Sequence, residues 1–473
     1  MATLSGLRFH LCISLTLSGY LLFAFWFSLL PYYDRLPLSD VRTFSPTLTA
    51  GLAYALLISL LFACYGLSSR FLRRHPSRLS LWATLAIATF FSLPLLFAYP
   101  VNANDIYRYI IRGRVWSVYG ESPFLLPPLA FPQDSLLAFA GEWAGSTSPY
   151  GPLWELLAGA LTALSGDSLL VGLLLFKMVG LVSVLVVGAL LAALASRDRA
   201  SLVALLWSWN PAVLLMFVVD GHNDILMLLW LVLGYYFSRR GRAYLGFALI
   251  VLAPLTKPIA LLALPIFFLW SLRRQAGWRA RLRFAVWALA SALVLSAVAF
   301  APFGNPWVLG ERLLREAAGG ASFSAGALFI LIVQYMTGAV PVVVVGTLLV
   351  IAFLMAALWL FWRTWCGRPA RCSVAEIFYL YQLQALNFRI WYAVWSFPWL
   401  IADYTDSADT PSTVYRLHVG IWFLLTSQLS VVIYGHLRAF ALGGSYLAAH
   451  LIGVPFTFVL PFALALLSVR HEN

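Results

Sequence analysis

Four short stretches of this chain place ionisable side chains in surroundings too apolar to hold them without a purpose. The first reads Asn102-Ala-Asn-Asp105-Ile-Tyr-Arg108-Tyr109 and continues to Arg112-Gly-Arg114. A carboxylate can act as a general base, and arginines three and seven residues later share one face of a helix that starts there. Such a face would hold an anionic group beside the base. The structural alternative is a helix cap (Asn104 or Asp105) with a solvated salt bridge. The second stretch is Asp220-Gly-His222-Asn223-Asp224. A tight turn accounts for Gly221 and Asn223, but not for two aspartates and a histidine at the mouth of an apolar bundle, where ionisable groups mark function by default. One histidine with two carboxylates in five residues is a weak metal signal.

The third stretch is Pro254-Leu-Thr-Lys257-Pro258, and the chain has only one other lysine, Lys177, deep in an apolar run. A lysine beside a broken helix suits an anion, because the break also frees backbone amides. The fourth is Asn387-Phe-Arg389-Ile-Trp391-Tyr392-Ala-Val-Trp395. It reads either as an interfacial aromatic belt or as a phosphate contact through Arg389. Glu155, Glu376 and Gln428 read as hydrogen-bonding residues packed inside a bundle.

The elements that must position these residues are membrane helices. Of 473 residues, 62% are apolar and only 10% charged, against roughly 25% charged in an ordinary soluble domain. This excludes a soluble enzyme, a disordered chain and a single-span receptor. The net charge of +13 lies in short arginine clusters between apolar runs, the positive-inside pattern of cytoplasmic loops; a nucleic-acid binder would gather it into one solvated patch. Apolar runs predict spans at about 11–30, 48–67, 79–98, 168–195, 202–219, 224–238, 284–301, 340–362, 415–434 and 446–469. Shorter pieces lie at 151–165, 243–272, 326–338 and 374–402. The expectation is an all-α polytopic membrane protein of about 10–13 transmembrane helices forming one domain over 1–473. Loop 99–150, on the side away from the arginine clusters, carries the candidate base, and 302–325 forms a second outer loop. Cys12, Cys64, Cys366 and Cys372 show no spacing that suggests disulfides.

Taken together, these motifs resemble prokaryotic polyprenyl-phosphomannose-dependent mannosyltransferases of the GT-C class. The similarity rests on Asn104-Asp105-Ile-Tyr-Arg-Tyr, Arg112-Gly-Arg-Val, Ser122-Pro123-Phe124, Tyr150-Gly-Pro, Trp209-Asn-Pro211, Asp220-Gly-His-Asn-Asp224, Leu255-Thr-Lys257 and Trp391-Tyr-x-x-Trp395, in that order. Departures are Arg112, where the family often has an acid, and Asn104, where a second aspartate is common. The resemblance implies a GT-C-like bundle with a catalytic first outer loop and Asp105 as base. It implies a polyprenyl-phosphate sugar donor, a glycan or glycolipid acceptor, membrane lipids as partners, and a plasma-membrane enzyme with its site facing outward. Magnesium or manganese stays open as a cofactor, with no metal ligands assigned.

The chemistry is coherent on its own terms. A sugar on a lipid phosphate already has a good leaving group, so one base and one or two cations suffice for inverting displacement. Asp105 is expected to be the base, with Asp224 sharing the role. Lys257, Arg389 and Arg108 would hold phosphate. His222, Asn223, Tyr150, Trp391 and Tyr392 would bind sugar or acceptor. The alternatives are a secondary transporter, which broken helices and membrane charges also suit, a GT-C enzyme using another lipid-linked sugar, and a non-catalytic scaffold of the same fold.

Overall fold

The computed structural model describes residues 2–35, 38–317, 322–406 and 410–470. The expected outer loop 302–325 therefore lies partly outside the described residues. Helices dominate, and no strand forms among the described residues beyond isolated bridges. The protein is an all-α polytopic membrane protein. Its two longest helices are largely apolar and begin at side-chain caps. Thr47 accepts from the Ala50 amide at the start of Leu48–Arg74, and Ser168 from that of Val171 at the start of Leu169–Leu194. Twenty-seven residues in the first of these span about 40 Å, more than a bilayer core requires.

Seven described helices are long and apolar enough to cross a membrane, or eight if one bent pair is counted as a span. This is fewer than the spacing of apolar runs predicts, and the reason is length. The runs at 79–98 and 224–238 become Leu81–Leu95 and Asp224–Arg239, of 15 and 16 residues. At 1.5 Å per residue these fall short of a full crossing. The helices Gly277–Phe300 and Val342–Trp365 keep Leu289, Leu293, Val343 and Leu348 exposed, as lipid-facing helices do.

Two helix breaks and one folded loop aim the candidate residues. Ala200–Ser208 and Pro211–Val219 meet at 54°, where Asn210 caps the second helix and Pro211 opens it. That second helix ends in a π-turn, Leu215–Val219, immediately before Asp220; such bulges recur at functional sites. The run 243–272 divides as expected, into Ala243–Thr256, the 3₁₀ turn Pro258–Leu262 and Leu264–Arg273, leaving Lys257 in extended backbone at the break. Loop 99–150 folds around a helix, Asp105–Ser117, and two 3₁₀ turns. Within it, a buried Arg114–Asp134 pair at 2.9 Å also accepts the Tyr119 hydroxyl.

Two glycines bring these pieces into contact. Gly221 has φ +66°, and a Cβ there would sit 2.6 Å from the Ile106 side chain. The 220–224 turn is thus pressed against the residue next to Asp105. A Cβ at Gly151 would lie 2.1 Å from the Leu255 carbonyl oxygen, and the Gly151 amide donates to the Thr256 carbonyl at 3.0 Å. Only glycine allows that approach of Tyr150 to the break at Lys257.

Candidate active site

Asp105 is the first residue of its helix, where the helix dipole favours a carboxylate. Asn104 precedes it without making a side-chain cap; its amide oxygen instead accepts from Arg108 at 3.2 Å. Arg108 Nη1 donates to Asp105 Oδ1 at 2.6 Å. The same guanidinium reaches Glu142 at 3.4 Å and lies 4.7 Å above the Trp143 ring. The other carboxylate oxygen, Oδ2, faces His222 Nδ1 at 3.7 Å, too long for a hydrogen bond.

His222 is fully buried and stacks on Trp391 at 4.1 Å between ring centres. Neither of its ring nitrogens has a partner. Burial first, then Lys257 and Arg108, hold its pKa down at about 4, against the opposing pull of Asp105 and Asp224. The imidazole is therefore neutral at pH 7.

Asp224 stands differently. It is wholly buried, Lys257 Nζ binds its Oδ2 at 2.6 Å, and Trp395 Nε1 donates to its Oδ1 at 2.5 Å. Expected to share the base role, it instead has both oxygens engaged. Lys257 also reaches Asn223 Oδ1 at 3.4 Å and lies 5.9 and 5.8 Å from the Tyr150 and Trp395 ring centres. Tyr392 stacks on Trp395 at 4.2 Å. Burial and Asp105 push the Tyr150 hydroxyl well above its ordinary pKa, so it stays a neutral donor.

Nine of the expected residues are thus gathered around the Asp105–His222 and Asp224–Lys257 pairs: these four with Arg108, Asn223, Tyr150, Trp391 and Tyr392. Arg389 is set apart. It touches neither carboxylate and lines an adjoining cavity with Trp391 and Asn102.

The structure adds residues that sequence spacing did not assign. Asn102 donates its backbone N–H to Asp220 at 3.3 Å. The Lys177 ammonium, completely buried, donates to the carbonyls of Ala98 at 2.9 Å, Val218 at 3.4 Å and Val219. It ties the entry of loop 99–150 to the π-turn that carries Asp220. Burial raises the Asp220 pKa while Lys177 pulls it down. Trp395 lay within the motif, four residues after Trp391, but nothing in the spacing pointed to Asp224.

Each carboxylate near the centre faces a cation, and no group of three His, Cys, Asp or Glu side chains among the described residues could hold a metal ion. The donor set among the described residues does not fit a metal ion.

A family model described as "Alpha-(1->6)-mannopyranosyltransferase, N-terminal domain" matches residues 15–273, more than half of the chain. The chain belongs to that family. The match takes in Asp105, the 220–224 turn and Lys257; Arg389, Trp391, Tyr392 and Trp395 lie beyond it. Among curated proteins, the chain is 30% identical to the alpha-(1->6)-mannopyranosyltransferase A of Mycobacterium tuberculosis over 245 residues, 50% of this chain and 46% of the relative. It is 29% identical to the enzyme of the same name from Corynebacterium glutamicum over 180 residues, 38% of this chain and 36% of the relative. The alpha-(1->6)-mannopyranosyltransferase B of that organism is 31% identical over 157 residues, 31% of this chain and 25% of the relative. The chain spans less than half the length of these relatives.

Proposed function

We propose that this protein is an inverting mannosyltransferase of the plasma membrane. It moves mannose from a polyprenyl-phosphate donor to a hydroxyl of a glycan or glycolipid acceptor on the extracytoplasmic face. The observation that carries the reading is Asp105, a carboxylate with one oxygen on Arg108 at 2.6 Å and the other turned to an unpartnered, buried His222. The family's name supplies the sugar.

Asp105 Oδ2 takes the acceptor proton as the acceptor oxygen attacks the anomeric carbon from the face opposite the phosphate. The bond from that carbon to the phosphate oxygen breaks, and its electron pair leaves with the lipid phosphate. Arg108 and Lys257 stabilise the charge that develops there. Asp224 and Trp395 fix the ammonium of Lys257 in place, which assigns Asp224 to positioning rather than to proton transfer. His222, Asn223 and Tyr150 bind sugar or acceptor hydroxyls, and Trp391 and Tyr392 offer ring faces to the sugar. A single carboxylate suffices because no covalent glycosyl intermediate forms.

The test is transfer from a short-chain polyprenyl-phosphomannose to a panel of mannosides by purified protein, with the product anomer read by NMR. Product inverted at the anomeric carbon relative to the donor supports the reading. Product of retained configuration, or transfer only from a different lipid-linked sugar, would overturn it.

A further inference from the structure

Beside the reaction centre lies a cavity of about 260 Å³ that the catalytic assignment does not use. Trp391 and Asn102 form its boundary with the site, and its remaining wall carries Arg42, Arg389 and Arg438. Asp40 is the only acid among the described lining residues. That acid is already occupied: its carboxylate caps the short helix Val41–Phe44, accepting from the amides of Arg42 at 2.8 Å and Thr43 at 3.1 Å, with the Arg42 guanidinium 3.6 Å away.

The other cations have no such compensation. The Arg389 guanidinium makes neither a hydrogen bond nor an ion pair among the described residues. Arg438 lies 4.1 Å over the Tyr446 ring, yet its Nε is buried without a partner. Asn102 accepts from Tyr54 at 3.5 Å through Oδ1 and leaves its Nδ2 buried and unpartnered. Buried donors left unmet are costly, and here two of them, on Asn102 and Arg438, border one space with the half-buried, unpaired guanidinium of Arg389. A guanidinium pair with no facing carboxylate matches a phosphate group. Val101, Phe388, Ile390 and Val431 line the same space, which suits the apolar stem of a lipid.

We propose that this cavity is an anion subsite that receives the phosphate of a lipid. It deepens the proposed function by placing Arg389 with Arg438 and Asn102 rather than with Lys257. The phosphate could belong to a polyprenyl chain or to a phospholipid head group; the recognising chemistry is the same.

Binding, not turnover, tests this, so it stays readable whether or not the protein transfers mannose. Native mass spectrometry of the detergent-purified chain would titrate farnesyl phosphate, with farnesol as its uncharged counterpart and phosphatidylglycerol and inorganic phosphate as competitors. Arg438→Gln and Arg389→Gln should each weaken farnesyl phosphate about tenfold or more, as loss of a charge-assisted contact does. Arg438→Lys should keep part of the affinity, and farnesol should bind all forms alike, which also reports that the variants are folded. Displacement of farnesyl phosphate by phosphatidylglycerol would identify a site open to phospholipid, displacement by inorganic phosphate one that reads the phosphate alone, and displacement by neither one reserved for polyprenyl chains. Farnesyl phosphate that binds both glutamine variants as tightly as the parent would overturn the proposal.

Discussion

The helix Asp224–Arg239 carries a charge cluster at each end, about 24 Å apart, and the two are built on opposite plans. At its C-terminal end Arg239 pairs with Asp406, which Arg371 also reaches at 2.8 Å. Arg371 and Arg416 both hold Asp403, each at 3.0 Å, and Arg416 and Arg368 both hold Glu376. Every carboxylate there faces two guanidinium groups. At the N-terminal end, Asp105 has one oxygen without a hydrogen bond, His222 has two idle nitrogens, and Asn102, Asn223, Tyr109 and Arg112 each keep a buried polar atom unpartnered. Asp403 Oδ2 and Arg416 Nη2 lack a hydrogen bond of their own, yet every charge there is neutralised, and that ion-paired network holds helices together. The open one is ready to bind. The same residue types serve both ends, so composition does not separate them; the pairing does.

The largest expected effect tests the closed end. Arg371→Ala leaves Asp403 and Asp406 with one cation each and should cost about 3–5 kcal/mol, the usual outcome of breaking a buried pair. Thermal unfolding in detergent would show it, with the KM for donor unchanged in the protein that remains folded. A fall in donor affinity at unchanged stability would break the distinction between the ends.

Lys257→Met strips the cation from Asp224 and should destabilise by about 3 kcal/mol. Adding Asp224→Asn should restore most of that stability without restoring transfer. Recovery of both together would reduce Lys257 to a structural lysine.

A pH titration sharpens the contrast further. Burial pushes the Glu155 carboxyl up to about 7, although Ser148 and Arg112 pull it down. The folded chain therefore holds this proton more tightly than the unfolded one. Stability should be greatest below about 4.5 and should fall by about 3 kcal/mol as pH rises through 7. In Glu155→Gln that slope should vanish, which denaturation at several pH values would reveal.

The smallest effect concerns stacking. Trp391→Ala removes the face against His222 and should raise KM about tenfold with little change in kcat, since an aromatic contact is worth about 1 kcal/mol beyond its burial. Trp391→Phe should recover most of the loss.

Much of this could be read in the sequence, because charges in an apolar chain are conspicuous. Asp105, the 220–224 turn and the proline-flanked Lys257 each announced themselves, and the helix break fell where Pro254 and Pro258 placed it. The partnerships did not. Lys257 meets Asp224 across 33 residues, Trp395 meets the same aspartate across 171, and Asn102 meets Asp220 across 118. Those depend on how helices pack, which local spacing does not encode. Lys177 looked anomalous in its helix, but its three carbonyl partners come from two other segments. Arg239 belongs to one of the short arginine clusters between apolar runs, and nothing near it in the sequence points to Asp406.

The most direct measurement is single-turnover mannosyl transfer by Asp105→Asn, beside donor binding and thermal stability of the same protein. Asparagine keeps the shape and the hydrogen bond from Arg108 but cannot take a proton. The chemical step should slow by about 10²- to 10⁴-fold, with binding and stability close to those of the parent. Transfer at the parental rate from folded Asp105→Asn would contradict the account at its centre.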